Sequence, residues 1–116
     1  MRLGVATEQV GDDAYVVAPT GELDLYTCPD FKEELLRVVA TGARHVVVDL
    51  SLTTFVDSTA LGVLLRGDER LKQAKGRLSV VCPDEKILRV FEVTGLDRVF
   101  EMHGSRAEAL GGSDKS

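Results

Sequence analysis

The residues best placed to do chemistry are Asp57, Ser58 and Thr59, which stand between Phe55-Val56 and the apolar run Ala60-Leu61-Gly62-Val63. A hydroxyl at the start of an amphipathic helix lies at the positive end of the helix dipole, where an anion is favoured. Such a corner has a structural use and two chemical ones. As a cap, Ser or Asp accepts free backbone N–H groups, which is worth about 1 kcal/mol. As a nucleophile, the serine would need the strand-turn-helix elbow G-x-S-x-G, but Val56 fills the first small position. The histidines that would have to serve as its base are His45, at a strand start, and His103, near the C-terminus. As a phosphoserine, it would gain from the helix N-terminus while Asp57, and Asp24 if its loop lies close, opposed an added charge of about −1.5 to −2. Opposed terms of that kind suit a reversible switch on a docking surface.

Glu22, Asp24, Asp49 and Asp57 raise the question of a metal or acid-base cluster. Most of them read as loop and cap acids, Asp49 sits near the end of a strand pattern, and no glycine-rich phosphate loop accompanies them. A phosphoaspartate receiver has similar length and alternation, but the opening strand lacks the paired acids and no lysine follows a late strand in the expected place. Cys28 and Cys82 form no C-x-x-C pair, so they are expected to be small apolar thiols in a reducing compartment rather than zinc ligands. No metal or cofactor is expected.

The elements that must position the corner follow from the rest of the chain. Its 116 residues suit one domain, 44% of them are hydrophobic, and 14 basic against 19 acidic side chains leave a net charge of −5. A domain of this size buries roughly two-thirds of its unfolded surface and needs no metal or disulfide to hold a core. The acidic balance argues against nucleic acid or an anionic membrane as the main partner. No apolar run approaches the roughly 20 residues of a membrane span, and Met1-Arg2-Leu3-Gly4 is not a signal peptide, so a cytoplasmic protein is expected.

Leu3–Glu8 and Ala14–Thr20 read as an antiparallel hairpin turned at Gly11-Asp12-Asp13, followed by a loop at Thr20–Asp24. Thr27 is the expected N-cap of a helix carrying Phe31, Leu35, Val38 and Val39, and Gly42 ends it. His45–Leu50, with consecutive valines, reads as the most buried strand, and Thr53–Ser58 as the loop that leaves it. A helix over Ser58–Lys75 carries Leu61, Leu64, Leu65 and Leu71 and is stopped by Gly76; Leu52 and Phe55 are expected in the core. Arg77–Cys82 is a strand, Asp84 caps a helix ending at Gly95, Val99–His103 is a last strand, and Ser105–Glu108 opens a short final helix. The order ββαβαβαβα implies an α/β domain with a mixed, mostly parallel sheet of about five strands, an N-terminal antiparallel hairpin and about four helices. The loops Gly21–Asp24 and Thr53–Ser58 both leave carboxyl ends of strands, where open sheets carry their functional surface.

Thr20-Gly21-Glu22-Leu23-Asp24, His45–Leu50, Phe55–Gly62 and Thr94-Gly95-Leu96 occur in an order and spacing that resembles the STAS domain. The similarity is closest to the small stand-alone anti-sigma factor antagonists of bacteria and covers nearly the whole chain. It implies a STAS domain over residues 1–110; the tail Gly111-Gly112-Ser113-Asp114-Lys115-Ser116 is expected from its own residues to be disordered. It further implies that Ser58 is the serine phosphorylated by an anti-sigma factor with serine kinase activity. The unphosphorylated form would bind that partner and free the sigma factor, phosphorylation would end the binding, and a protein phosphatase would restore it. Gly21, Glu22, Asp24, Asp57, Ser58, Thr59 and Gly62 match the partner-binding region. Thr59-Ala60 stands where the family often has Ser-Gly, which makes Thr59 a candidate second acceptor and firms the helix start by up to about 1 kcal/mol. On this reading the protein is a regulator and not an enzyme. The alternatives are a STAS scaffold or sensor module that is never phosphorylated, and an esterase using Ser58.

Overall fold

The computed structural model describes residues 4–111; the expected strand start at Leu3 and the tail at 112–116 lie outside the described residues. The fold is built on β3 (His45–Asp49), which is buried along its whole length because it is covered on both faces. Val46 and Val48 point into the larger core with Leu50, whereas Val47 joins Val16 and Val81 on the other face. On one side β3 runs parallel to β2 (Ala14–Leu23), and on the other to β5 (Arg77–Val81). β1 (Gly4–Val10) pairs antiparallel with β2, and β6 (Glu101–His103) pairs parallel with β5, which gives the path β1-β2-β3-β5-β6.

A sixth strand, β4 (Thr53–Val56), lies where a loop was expected. It runs parallel to the end of β2, with Glu22 opposite Phe55 and Leu23 opposite Val56. The expected loop at Thr20–Asp24 is therefore mostly strand. The register shifts between Gly21 and Glu22, and Gly21 takes a φ of +104°, a conformation that glycine tolerates and other residues resist. β2 pairs with β3 over Ala14–Val17 and with β4 over Gly21–Leu23, and the irregularity lies within the second pairing, where Thr54 of β4 has no opposite residue. Leu52 and Phe55, expected in the core, are exposed on this segment.

Helices α1 (Cys28–Val39), α2 (Ser58–Gln73) and α3 (Glu85–Thr94) contribute to the larger core, and α1 packs on α2. Phe31, Leu35 and Val38 of α1 are buried, as the periodicity predicts, and so are Leu61, Leu64 and Leu71 of α2. Leu65, expected with them, is exposed instead, and Asp68 is buried and paired with Lys72 at 3.1 Å. The opposite face is covered by α4 (Arg106–Gly111), which buries Ala109 against Val16, Val47 and Val81. Gly111, expected in the tail, closes this helix. The last strand, expected from Val99, starts only at Glu101, and a 3₁₀ turn at Leu96–Arg98 precedes it.

Candidate functional site

The end of β2, the end of β4 and the start of α2 meet at one corner. Asp57 N–H donates to Leu23 O at 3.2 Å, which ties the last residue before α2 to the end of β2. Asp57 itself is extended (φ −113°, ψ −175°), so its side chain can fold back over the helix end. Its Oδ1 accepts Thr59 N–H at 2.9 Å and Ala60 N–H at 3.2 Å. The cap is therefore Asp57. Ser58, also read as a cap from its position, is the first residue of the helix; it is exposed, and its hydroxyl has no hydrogen-bond partner among the described residues.

Asp24 shapes the neighbouring turn. Its Oδ1 accepts Tyr26 N–H at 2.9 Å and Thr27 N–H at 3.1 Å. Thr27 stands at the N-cap position of α1 as expected, but its side chain accepts none of the helix's N–H groups. Its hydroxyl is turned back to the β2 end, donating to Glu22 O at 2.6 Å and accepting Asp24 N–H at 3.0 Å. The turn leaves Leu25 and Tyr26 exposed beside the corner. Burial, joined by the charges of Asp57 and Asp24, pushes the Cys28 thiol up to about 11. Both carboxylates thus act on one buried atom. The thiol stays protonated, and Cys82 is likewise a buried free thiol held near 11 by burial and by Asp84.

The structure brings Gly21, Glu22, Asp24, Asp57, Ser58 and Thr59 to this corner, while Gly62 lies one turn along α2. Thr59 differs from Ser58 in being half-buried, and it borders a groove between α1 and α2 that Gly62 also lines. The acids do not form one cluster. Asp49 lies on the α4 side of the sheet, where Arg106 Nε reaches its Oδ2 at 2.5 Å and Ser51 N–H and Oγ donate to its Oδ1. Burial pushes the Asp49 carboxyl up, but the hydrogen bonds from Ser51 and Arg106 outweigh burial and hold it below its usual value. Among the described residues no group of three or more His, Cys, Asp and Glu could hold a metal ion. The histidines lie elsewhere: His45 is 2.8 Å from Ser79 Oγ, and His103 is 3.6 Å from Glu101.

Reading the sequence did not single out Leu25, Lys32 or Arg66, which line the groove with Thr59 and Gly62. The available signal was the run Thr59, Gly62, Val63 and Arg66, which recurs at helical spacing on one stripe of α2.

The model of the STAS domain matches residues 5–109. The chain belongs to the STAS domain family. The anti-sigma-B factor antagonist of Staphylococcus aureus is 35% identical over 96 residues, covering 83% of this chain and 88% of that protein. The Staphylococcus epidermidis protein of the same name is 38% identical over 85 residues, covering 73% of this chain and 79% of that one. Among solved structures, an anti-sigma factor antagonist from Mycobacterium paratuberculosis superposes with a TM-score of 0.87 at 30% identity, over 95% of this chain and 92% of that one. The STAS corner described above is the C-terminal end of the β2–β4 pair, and no helix among the described residues is long and apolar enough to cross a membrane.

Proposed function

We propose that the chain is an anti-sigma factor antagonist whose binding to its anti-sigma factor is switched off by phosphorylation of Ser58. The observation that carries the reading is the division of labour at the corner: Asp57 caps α2, and the Ser58 hydroxyl stands exposed at the helix N-terminus with no bond to any described residue. A kinase can reach that hydroxyl without breaking any contact of the fold. The helix end tolerates the added charge, while Asp57 beside it and Asp24 across the corner make the docking face strongly anionic. Gly21, Glu22, Asp24, Asp57, Ser58, Thr59 and Gly62 form that face. The anti-sigma factor supplies the kinase, a protein phosphatase reverses the modification, and the chain acts in the cytoplasm as a regulator rather than an enzyme. The half-buried Thr59 is a second hydroxyl for the same kinase, less accessible than Ser58.

Incubation with the anti-sigma kinase and ATP, followed by mass spectrometric mapping, is expected to place phosphate on Ser58. Ser58→Ala should bind the anti-sigma factor constitutively, and Ser58→Asp should bind it roughly tenfold or more weakly. Phosphate found on another element, or equal binding by both variants, rejects the reading.

A further inference from the structure

Two glycines interrupt α2, and packing within the chain accounts for one of them. A Cβ on Gly67 would sit 2.8 Å from Leu35 Cδ2, so that position stays bare where α2 meets α1. A Cβ on Gly62 would meet nothing within 4 Å, and its φ lies outside the left-handed region. Glycine is nonetheless among the costliest residues in a helix interior. The fold does not need Gly62 to be glycine.

On its α1 side Gly62 borders a groove of about 410 Å³ between α1 and α2, distinct from the hollow that it and Arg66 share with Asp68 and Glu69 along the other side of α2. Leu25 and Val63 supply apolar surface in the groove, and Leu25 is 62% exposed. Lys32 from α1 and Arg66 from α2 supply charge, and neither has an ion-pair partner among the described residues. Among the described residues no acidic side chain lines this groove, although the molecule as a whole carries −5. Asp24 and Asp57 stand outside it, at the Ser58 end.

We propose that this groove receives a segment of the anti-sigma factor that carries a carboxylate beside apolar side chains, its backbone passing close over Gly62. The inference rests on the antagonist reading above. A glycine admits a partner's backbone closer than any other residue does. The carboxylate finds Lys32 and Arg66, the latter suited to a two-pronged hydrogen bond, and the apolar side chains cover Leu25 and Val63. Because Thr59 borders the groove, a phosphate one residue away on Ser58 sets its charge against the incoming carboxylate. The contact that gives affinity is then the one the switch weakens.

The test is calorimetric binding of the anti-sigma factor purified from the same bacterium, with a melting temperature recorded for every variant. Gly62→Ala is expected to raise Tm by about 4 °C, since alanine is the better helix former and meets no obstacle. Gly62→Leu should fold as well as wild type yet bind about tenfold more weakly or worse, because its side chain fills the groove. Arg66→Glu and Lys32→Glu should each weaken binding about tenfold at low salt, and by less as salt is raised. Wild-type affinity in folded Gly62→Leu and Arg66→Glu overturns the groove assignment; if Ser58→Asp still loses binding, the antagonist reading survives. Failure of both wild type and Ser58→Ala to bind the anti-sigma factor overturns the two together.

Discussion

Asp57 accepts two backbone N–H groups with one carboxylate oxygen, so α2 keeps its cap whatever happens to the hydroxyl one residue later. Asp and Ser are about equally good at an N-cap, and both were legible as caps in the sequence. Which one does the work depends on the extended backbone of Asp57, a tertiary consequence of its N–H pairing with Leu23 that no local pattern reveals. The two positions should therefore separate in a stability measurement. Asp57→Ala is expected to lose about 1 kcal/mol, the usual worth of such a cap. Ser58→Ala should stay within about 0.5 kcal/mol of wild type, as exposed substitutions without contacts do. Urea unfolding of the two variants checks this, and equal losses would mean that the serine shares the cap.

At the scale of elements, the helices and the long valine-rich strand were readable because their apolar positions recur with a clear period. Strand β4 was not. Thr53–Val56 is four residues long, buries only its ends, and follows a break after Leu50, so it resembles a loop. It pairs with Gly21–Leu23, a stretch that reads as a loop in the sequence, and skips Thr54 in doing so. The groove was hidden for a similar reason, since it exists only through the packing of α1 on α2. The end of α2 carries a comparable misreading with a measurable consequence. Gly76 was expected to stop the helix, but the residue that takes the left-handed conformation there is Lys75, at φ +63°. Gly76 is needed for space, because a Cβ there would lie 2.8 Å from Arg44 O and 3.2 Å from Leu71 Cδ2. Lys75→Gly is accordingly expected to be neutral or to stabilise by about 0.5–1 kcal/mol, relieving left-handed strain. Gly76→Ala should destabilise by about 1–3 kcal/mol, because backbone must move to admit the methyl group. Thermal unfolding of both variants decides between freedom and space as the role of this glycine.

Across the whole molecule, the sheet face away from the larger core carries a polar network whose protonation is coupled to folding. Ser79 Oγ donates to Glu101 Oε1 at 2.9 Å, so it accepts from His45 Nε2–H at 2.8 Å. The other ring nitrogen of His45, Nδ1, then faces the Arg77 guanidinium at 3.5 Å without a proton. Burial and the Arg77 charge hold the His45 imidazole below its usual value, against a smaller opposite pull from Glu101, a further downward push from His103 and an upward one from Asp13. The carboxyls shift the same way. Burial pushes Glu101 up, but Ser79 and Arg77 outweigh it; Arg37 holds Glu34 down; and Ser51 and Arg106 do the same for Asp49. Each of these groups binds a proton more readily in the unfolded chain than in the fold. As pH falls, the unfolded state therefore takes up protons first, and stability is lost. The loss should begin near pH 6.5, the usual histidine value, and continue below about pH 4.5 as the carboxyls titrate. His45→Gln, which retains a donor for Ser79, should flatten the curve between about pH 7 and 5 and leave the lower limb intact. Urea midpoints measured from pH 8 to pH 4 test the assignment. An unchanged upper limb in His45→Gln would move the histidine effect away from this network.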